Sequence, residues 1–237
     1  MLNLIHETSD FLKAKTNFKV EIGIILGTGL GGLVNEIKIK HAIPYEDIPN
    51  FPISTVEGHQ GQLIFGEIGG KNVVAMQGRF HFYEGYTMQE VVFPVRVMKF
   101  LGINKLVVSN ASGGVNPKFE IGDIMIINDH INLFPTNPLI GPNLKELGTR
   151  FPDMSDAYDE QLIKKAEAIA KELNIKIVKG VYACSPAPPR CPFEGLGLIK
   201  IFGIELKSSI RVLSPRILPP FNFELGSTAN TARLISC

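Results

Sequence analysis

The chain has 237 residues, 45% of them hydrophobic, which suits one medium-sized α/β domain with a sizeable core. Its 24 Lys and Arg nearly balance 23 Asp and Glu, so no basic footprint for nucleic acid or an anionic membrane surface is visible. No apolar run approaches bilayer-spanning length, and the three cysteines lack metal-ligand or disulfide-framework spacing, which makes a reducing, cytoplasmic setting the expectation.

Met1 to Asp10 lacks the basic start and apolar core of a signal peptide and reads as the beginning of an amphipathic helix. Val20–Leu26 is a short, β-branched apolar run, hence a buried strand. It leads into Leu26-Gly-Thr-Gly-Leu-Gly-Gly-Leu33, a turn whose backbone N–H groups and following helical start favour an anion. Thr28 offers a hydroxyl at the apex, suited to a phosphate oxygen; a tight glycine turn without a ligand is the alternative. Gly27, Gly29 and Gly32 formally satisfy the dinucleotide-binding pattern GxGxxG. The acidic residue that should end a second strand about twenty residues later falls instead in the proline-bounded loop Pro44–Pro49. His59 lies in the glycine-flanked Val56–Gly61 loop, where it either faces a ligand or is simply solvated.

Lys71–Met76 is a second strand, and it delivers Arg79, His81 and Tyr83 at intervals of two. In an extended segment these three share one face, where a guanidinium, an imidazole and a phenol suit an oxyanion beside a hydroxylated ligand. The same residues also suit a half-exposed strand whose polar face meets water. Met88–Leu101 has the apolar density of a helix packed on a sheet, with Pro94 as a kink point. Lys105–Ser109 is a strand followed by Ser109-Asn-Ala-Ser-Gly-Gly114, small residues that let a ligand approach the main chain or simply form a tight turn. Asp123–Ile127 is another strand, and His130 beyond it reads as structural. Glu84 and Asp123 either orient the arginine and histidine groups or form ordinary ion pairs.

Ser155 or Asp156 can cap a helix carrying the stripe Leu162, Ile163, Ala166, Ile169, Ala170 and Leu173. Glu160–Lys164 and Glu167–Lys171 are i,i+4 pairs on its wet side, and Asn174 ends it. Ile175–Val178 with Gly180–Ala183 makes a further strand. Buried strands alternating with helices predict an α/β fold, a mixed and largely parallel twisted sheet flanked by helices. After residue 182 the composition shifts: all three cysteines and seven of the sixteen prolines fall there, and none of the five histidines. Leu196–Val212 is apolar without a clear period. The expectation is a domain over residues 1–182 and an atypical tail over 183–237.

Taken together, these segments resemble the trimeric purine nucleoside phosphorylases. The resemblance runs over about residues 20 to 182, through Gly27–Gly32, Val56–His59, Gln77–Tyr86, Phe93–Arg96, Ser109–Pro117, Gly122–Met125, Asp129–Asn132, Asn137–Leu139, Gly141–Asn143 and Arg150–Tyr158. It implies phosphate-dependent cleavage of the N-glycosidic bond of purine (deoxy)ribonucleosides to free base and (deoxy)ribose 1-phosphate, as in purine salvage. It assigns phosphate contact to Thr28, Arg79, His81 and the backbone at Ala111, with His59 near the phosphate and His81 as the catalytic side chain. Tyr83 would face the ribose, and Phe151 would reach into a neighbouring subunit's site, which implies a homotrimer. Phosphate is a co-substrate, and no metal or organic cofactor is implied.

Beyond Gly180-Val-Tyr182 the resemblance stops. The family's Glu-Thr motif that grips the purine, its Met-Ser-Thr segment and its purine-contacting asparagine have no matching positions, so the purine-binding residues are unknown. Glu194 does not carry the glutamate's role. A reading frame shifted near residue 183 would leave this pattern. The sequence therefore predicts a phosphorylase lineage with impaired turnover and an incomplete C-terminal part of the fold, against a working enzyme with an unusual end. A nicotinamide-dependent oxidoreductase survives only on the glycine pattern.

Overall fold

The computed structural model describes residues 1–27, 31–52 and 61–184, and the backbone of 196–203. Helix α1 (Leu2–Thr16) opens the chain and ends where Asn17 turns into the left-handed region, its N–H donating to Lys13 O. Strand β1 (Ile22–Leu26) is followed by a 3-10 turn over Gly31–Glu36 rather than an α-helix. Strands β2 (Lys38–Pro44) and β3 (Gln62–Ile68) come next, and β3 turns back into β4 (Lys71–Gln77). Helix α2 (Met88–Leu101) starts at a reciprocal cap between Thr87 and Glu90 and stops at Gly102, φ 105°. It runs on through the buried Pro94. Then come β5 (Lys105–Ser112), β6 (Ile124–Asn132), α3 (Glu160–Glu172), β7 (Ile177–Cys184) and β8 (Leu196–Gly203).

Among the described residues, eight strands form one sheet in the order β2-β3-β4-β1-β5-β8-β6-β7. β4, β1 and β5 run parallel, as do β8, β6 and β7, while β2, β3 and the β5–β8 pair supply the antiparallel contacts. The mixed, largely parallel sheet expected from the sequence is therefore present. The period-two alternation divides its strands between two cores. Leu63, Phe65, Val74 and Met76 pack with α1 and α2 through Ile5, Leu12, Val97 and Met98. Ile64, Val73 and Ala75 face the other way, against Ile24, Leu26, Val34 and Ile37. Among the described residues, no helix is long and apolar enough to cross a membrane.

Several local expectations are corrected. The strand over Leu196–Gly203 sits between β5 and β6 although its residues show no clear period in the sequence. The cap of α3 is Asp159, whose Oδ1 accepts from Leu162 N at 2.8 Å, rather than Ser155 or Asp156. Glu160 does pair with Lys164 at 2.9 Å, but Glu167 turns to Lys179 on β7 at 2.7 Å instead of to Lys171. The dinucleotide reading also fails. β1 is not followed by a crossover helix and an adjacent parallel strand, because β2 lies at the far edge, antiparallel to β3.

Candidate phosphate and ribose site

Three parallel strands, β4, β1 and β5, end side by side, and of the residues singled out in the sequence Arg79, His81, Tyr83 and Ala111 lie at the C-terminal ends of β4 and β5. β4 stops at Gln77, so Arg79, His81 and Tyr83 lie beyond the strand. Gly78, at φ 93°, turns the chain, and its carbonyl accepts from the buried Tyr45 hydroxyl at 2.7 Å. Burial raises the Tyr45 pKa, so its phenol stays a donor. Phe80 then plugs an aromatic cluster, 5.3 Å from the Tyr45 ring and 5.4 Å from Tyr86 between centroids. With Phe80 turned into the core, its neighbours Arg79 and His81 are left at the half-buried surface.

Arg79 and His81 do converge. Arg79 Nε donates to His81 Nε2 at 2.8 Å, and Arg79 Nη1 donates to Ser109 O on β5 at 3.3 Å. His81 Nδ1 in turn bonds Glu84 Oε1. With Nε2 accepting and Nδ1 next to a carboxylate, the arrangement fits the neutral Nδ1–H tautomer. Burial lowers the His81 pKa; the hydrogen bond to Glu84 works against this and the Arg79 charge works with it, leaving the pKa below its ordinary value. Tyr83 joins the group by another route than strand alternation. A 3-10 turn over Phe82–Glu84 folds its ring onto His81, 4.8 Å between centroids and 23° between planes.

The β5 side is built as tightly. Ser109 Oγ accepts from Gly27 N and donates to Ile25 O, both at 3.2 Å. A Cβ on Gly27 would stand 2.3 Å from Ser109 O and 2.5 Å from Asn110 Cα, so the end of β1 approaches β5 as only glycine allows. Ala111 lies two residues beyond Ser109 on β5 and is half-buried. Asn110, which the sequence did not single out, is buried; its Nδ2 donates to Ala111 O at 3.0 Å while Oδ1 has no partner among the described residues. The run of small residues around Asn110 is what marks this strand end in the sequence.

Thr28 and His59 lie outside the described residues. Phe151 is not brought to this cluster; it stands 87% exposed in the segment between β6 and α3. Glu84 orients His81, as the sequence allowed, but Asp123 does not take part. Its carboxylate accepts from Glu120 N and pairs with Lys176 at 2.9 Å, contacts that hold its pKa down. His130 is buried edge-on to Tyr158, in keeping with a structural reading. Among the described residues, no group of three or more His, Cys, Asp or Glu side chains could hold a metal ion.

A family model described as the phosphorylase superfamily matches residues 21–206, most of the chain and further than the resemblance read from its motifs. The chain is 57% identical over 188 residues to purine nucleoside phosphorylase 1 of Bacillus subtilis, covering 79% of this chain and 69% of that one. It belongs to the purine nucleoside phosphorylase family. Purine nucleoside phosphorylase 1 of Geobacillus stearothermophilus is 52% identical over 84% of this chain and 73% of its own. Among solved structures, isoform 2 of Schistosoma mansoni purine nucleoside phosphorylase, in complex with cytosine and ribose-1-phosphate, superposes with a TM-score of 0.77 at 39% identity. That match covers 85% of this chain and 82% of the other. The purine nucleoside phosphorylases are pentosyltransferases, and the Arg79–His81–Glu84 cluster stands in a chain of that family.

Proposed function

We propose that this chain carries out phosphorolysis of purine (deoxy)ribonucleosides, with the cluster at the ends of β4, β1 and β5 as its phosphate and ribose side. The observation that carries the reading is the Arg79–His81–Glu84 chain of hydrogen bonds, anchored on Ser109 O, in a member of this family. An oxygen of phosphate forms a bond to the anomeric carbon as the glycosidic bond breaks. The bonding pair leaves with the purine, which takes up a proton. The sugar passes through a cation-like transition state, so an anchored phosphate dianion supplies both nucleophile and electrostatic stabilisation. Arg79, Thr28, His59 and the Ala111 backbone hold that phosphate, and His81 fixes the guanidinium plane in advance. Glu84 fixes the His81 tautomer. Tyr83, stacked on His81, faces the ribose, and the exposed Phe151 covers the sugar in a neighbouring subunit of a homotrimer working in the cytoplasm.

A second reading rests on the absence of the family's purine-side motifs from residues 183–237. On it, the chain keeps the phosphate half-site with turnover lowered by the missing leaving-group assistance, which typically contributes about 10²- to 10⁴-fold. Following hypoxanthine release from inosine with and without inorganic phosphate separates the two. Phosphate-dependent release establishes the enzyme. A thermal melt that rises with phosphate while release stays at background establishes the half-site. Neither response would overturn both.

A further inference from the structure

Arg96 on α2 is the one buried lysine or arginine among the described residues. Its fork meets only neutral groups: Nη1 donates to Gln89 Oε1 at 2.5 Å and Nη2 to Pro138 O at 3.0 Å. Nε is buried and has no partner among the described residues. Buried cations are ordinarily paired with an acid, and burial alone works against this charge. Gln89 supplies a neutral acceptor where an acid would supply charge as well.

Beside this guanidinium lies a cavity of about 460 Å³, within the range of roughly 300–1,000 Å³ of small-molecule sites. Pro138, Ile140, Leu144 and Leu147 give it apolar walls, and Arg96 and Arg150 line it with no Asp or Glu among the lining residues. The loop's own carboxylate, Glu146, is not one of them. Lys99, one turn after Arg96 on the same helix, donates to Leu147 O at 3.0 Å and brings a third cation to this region. An apolar cavity bounded by guanidiniums and lacking any acid is chemically matched to one kind of guest.

We propose that this cavity binds a small organic anion, an apolar body bearing one carboxylate or phosphate group, whose charge pairs with Arg96. It is separate from the phosphate and ribose cluster, which sits at the strand ends and uses none of these residues. The site stands whether or not the phosphorolysis reading holds.

The test is calorimetric titration of the full chain with benzoate and, separately, with phenyl phosphate, each in saturating inorganic phosphate so that the strand-end cluster is occupied. The expected result is one site per chain for at least one probe, and the stronger of the two names the head group. Arg96→Met should weaken it by about tenfold or more, the effect of losing a hydrogen-bonded charge. Ile140→Trp, at an exposed lining position, should block the cavity, and it decides the matter alone if Arg96→Met does not fold. Arg79→Met should leave probe binding intact. No binding of either probe, unchanged binding in Ile140→Trp, or loss in Arg79→Met instead of Arg96→Met would overturn the proposal. So would an Arg96→Met variant whose sedimentation changes while neither probe binds the parent, a result that assigns the face to contact between copies.

Discussion

Among the described residues, the two sides of the sheet are packed to different degrees. In the β3–β4–β1 half, Leu63, Ile64, Phe65, Val73, Val74 and Ala75 are fully buried, with packed side chains on both faces. In the β7–α3 half, Ile163, Ala170 and Tyr182 are buried, but Ile169 is 54% and Leu173 62% exposed, and Val181 also stands out to solvent. The two edge strands are alike in kind: β2 exposes Ile39 between Lys38 and Lys40, and β7 exposes Val181 near Lys179, so each edge carries charge that discourages pairing with another chain. The half packed on both faces also carries Arg79 and His81, just beyond the end of β4, while Ser109, which Arg79 reaches, lies on the adjoining β5. Groups that orient an anion gain most when their support is already rigid.

The contrast can be broken at its strongest point first. Phe65→Ala should cost about 3–5 kcal/mol, because a fully buried ring leaves a cavity that close-packed neighbours fill only partly; chemical denaturation measures it. Arg79→Met should lower phosphorolysis by about 10²- to 10³-fold, the usual effect of removing a group aimed at transition-state charge, with the melting temperature little changed. Gly27→Ala should destabilise by about 1–3 kcal/mol through overpacking against the β5 main chain, read from urea midpoints.

A smaller effect comes from His81. Its pKa is lowered from 6.5 in the folded chain, so the unfolded chain takes up the proton first as pH falls. Stability should be complete above the ordinary value and decline as pH drops towards the lowered one, and His81→Asn should flatten that part of the profile. Smallest of all, Ile169→Ser should stay within about 0.5 kcal/mol, since the site is half-exposed and the two residues have similar helix propensity. A large loss at Ile169 would show that the β7–α3 half is covered after all.

What could be read from the sequence followed the strength of each local signal. β1, β4, β5, β6 and β7 were legible because short β-branched runs ended at Gly or polar residues. α2 was legible from its apolar density and α3 from its stripe. β3 went unread because Gly66 breaks its apolar run; a Cβ there would meet Ile37 Cγ2 at 2.6 Å and Lys38 O at 2.7 Å, so the break is a close approach of β2. β8 has no period to read and is held in place by pairing with β5 and β6. In the site, Arg79 and His81 were visible as neighbours at a spacing of two. The stack of Tyr83 on His81 depends on a turn that the spacing could not reveal. Glu167 chose a partner on another element, a tertiary contact hidden from helical spacing.

Two glycines of β1 and its exit set different limits on how this chain can vary. A side chain at Gly23 would meet Ile103 Cδ1 at 2.7 Å, Leu106 Cδ1 at 3.0 Å and Met98 Sδ at 3.1 Å, all of them side-chain atoms. A second change that trims one of these could make room, so Gly23 can drift together with its neighbours. At Gly27 the obstructing atoms belong to the main chain of Ser109 and Asn110, which every residue carries. No substitution elsewhere can remove them. A suppressor search begun from Gly27→Ala should therefore return revertants rather than compensating partners, and the exit of β1 is closed to gradual change.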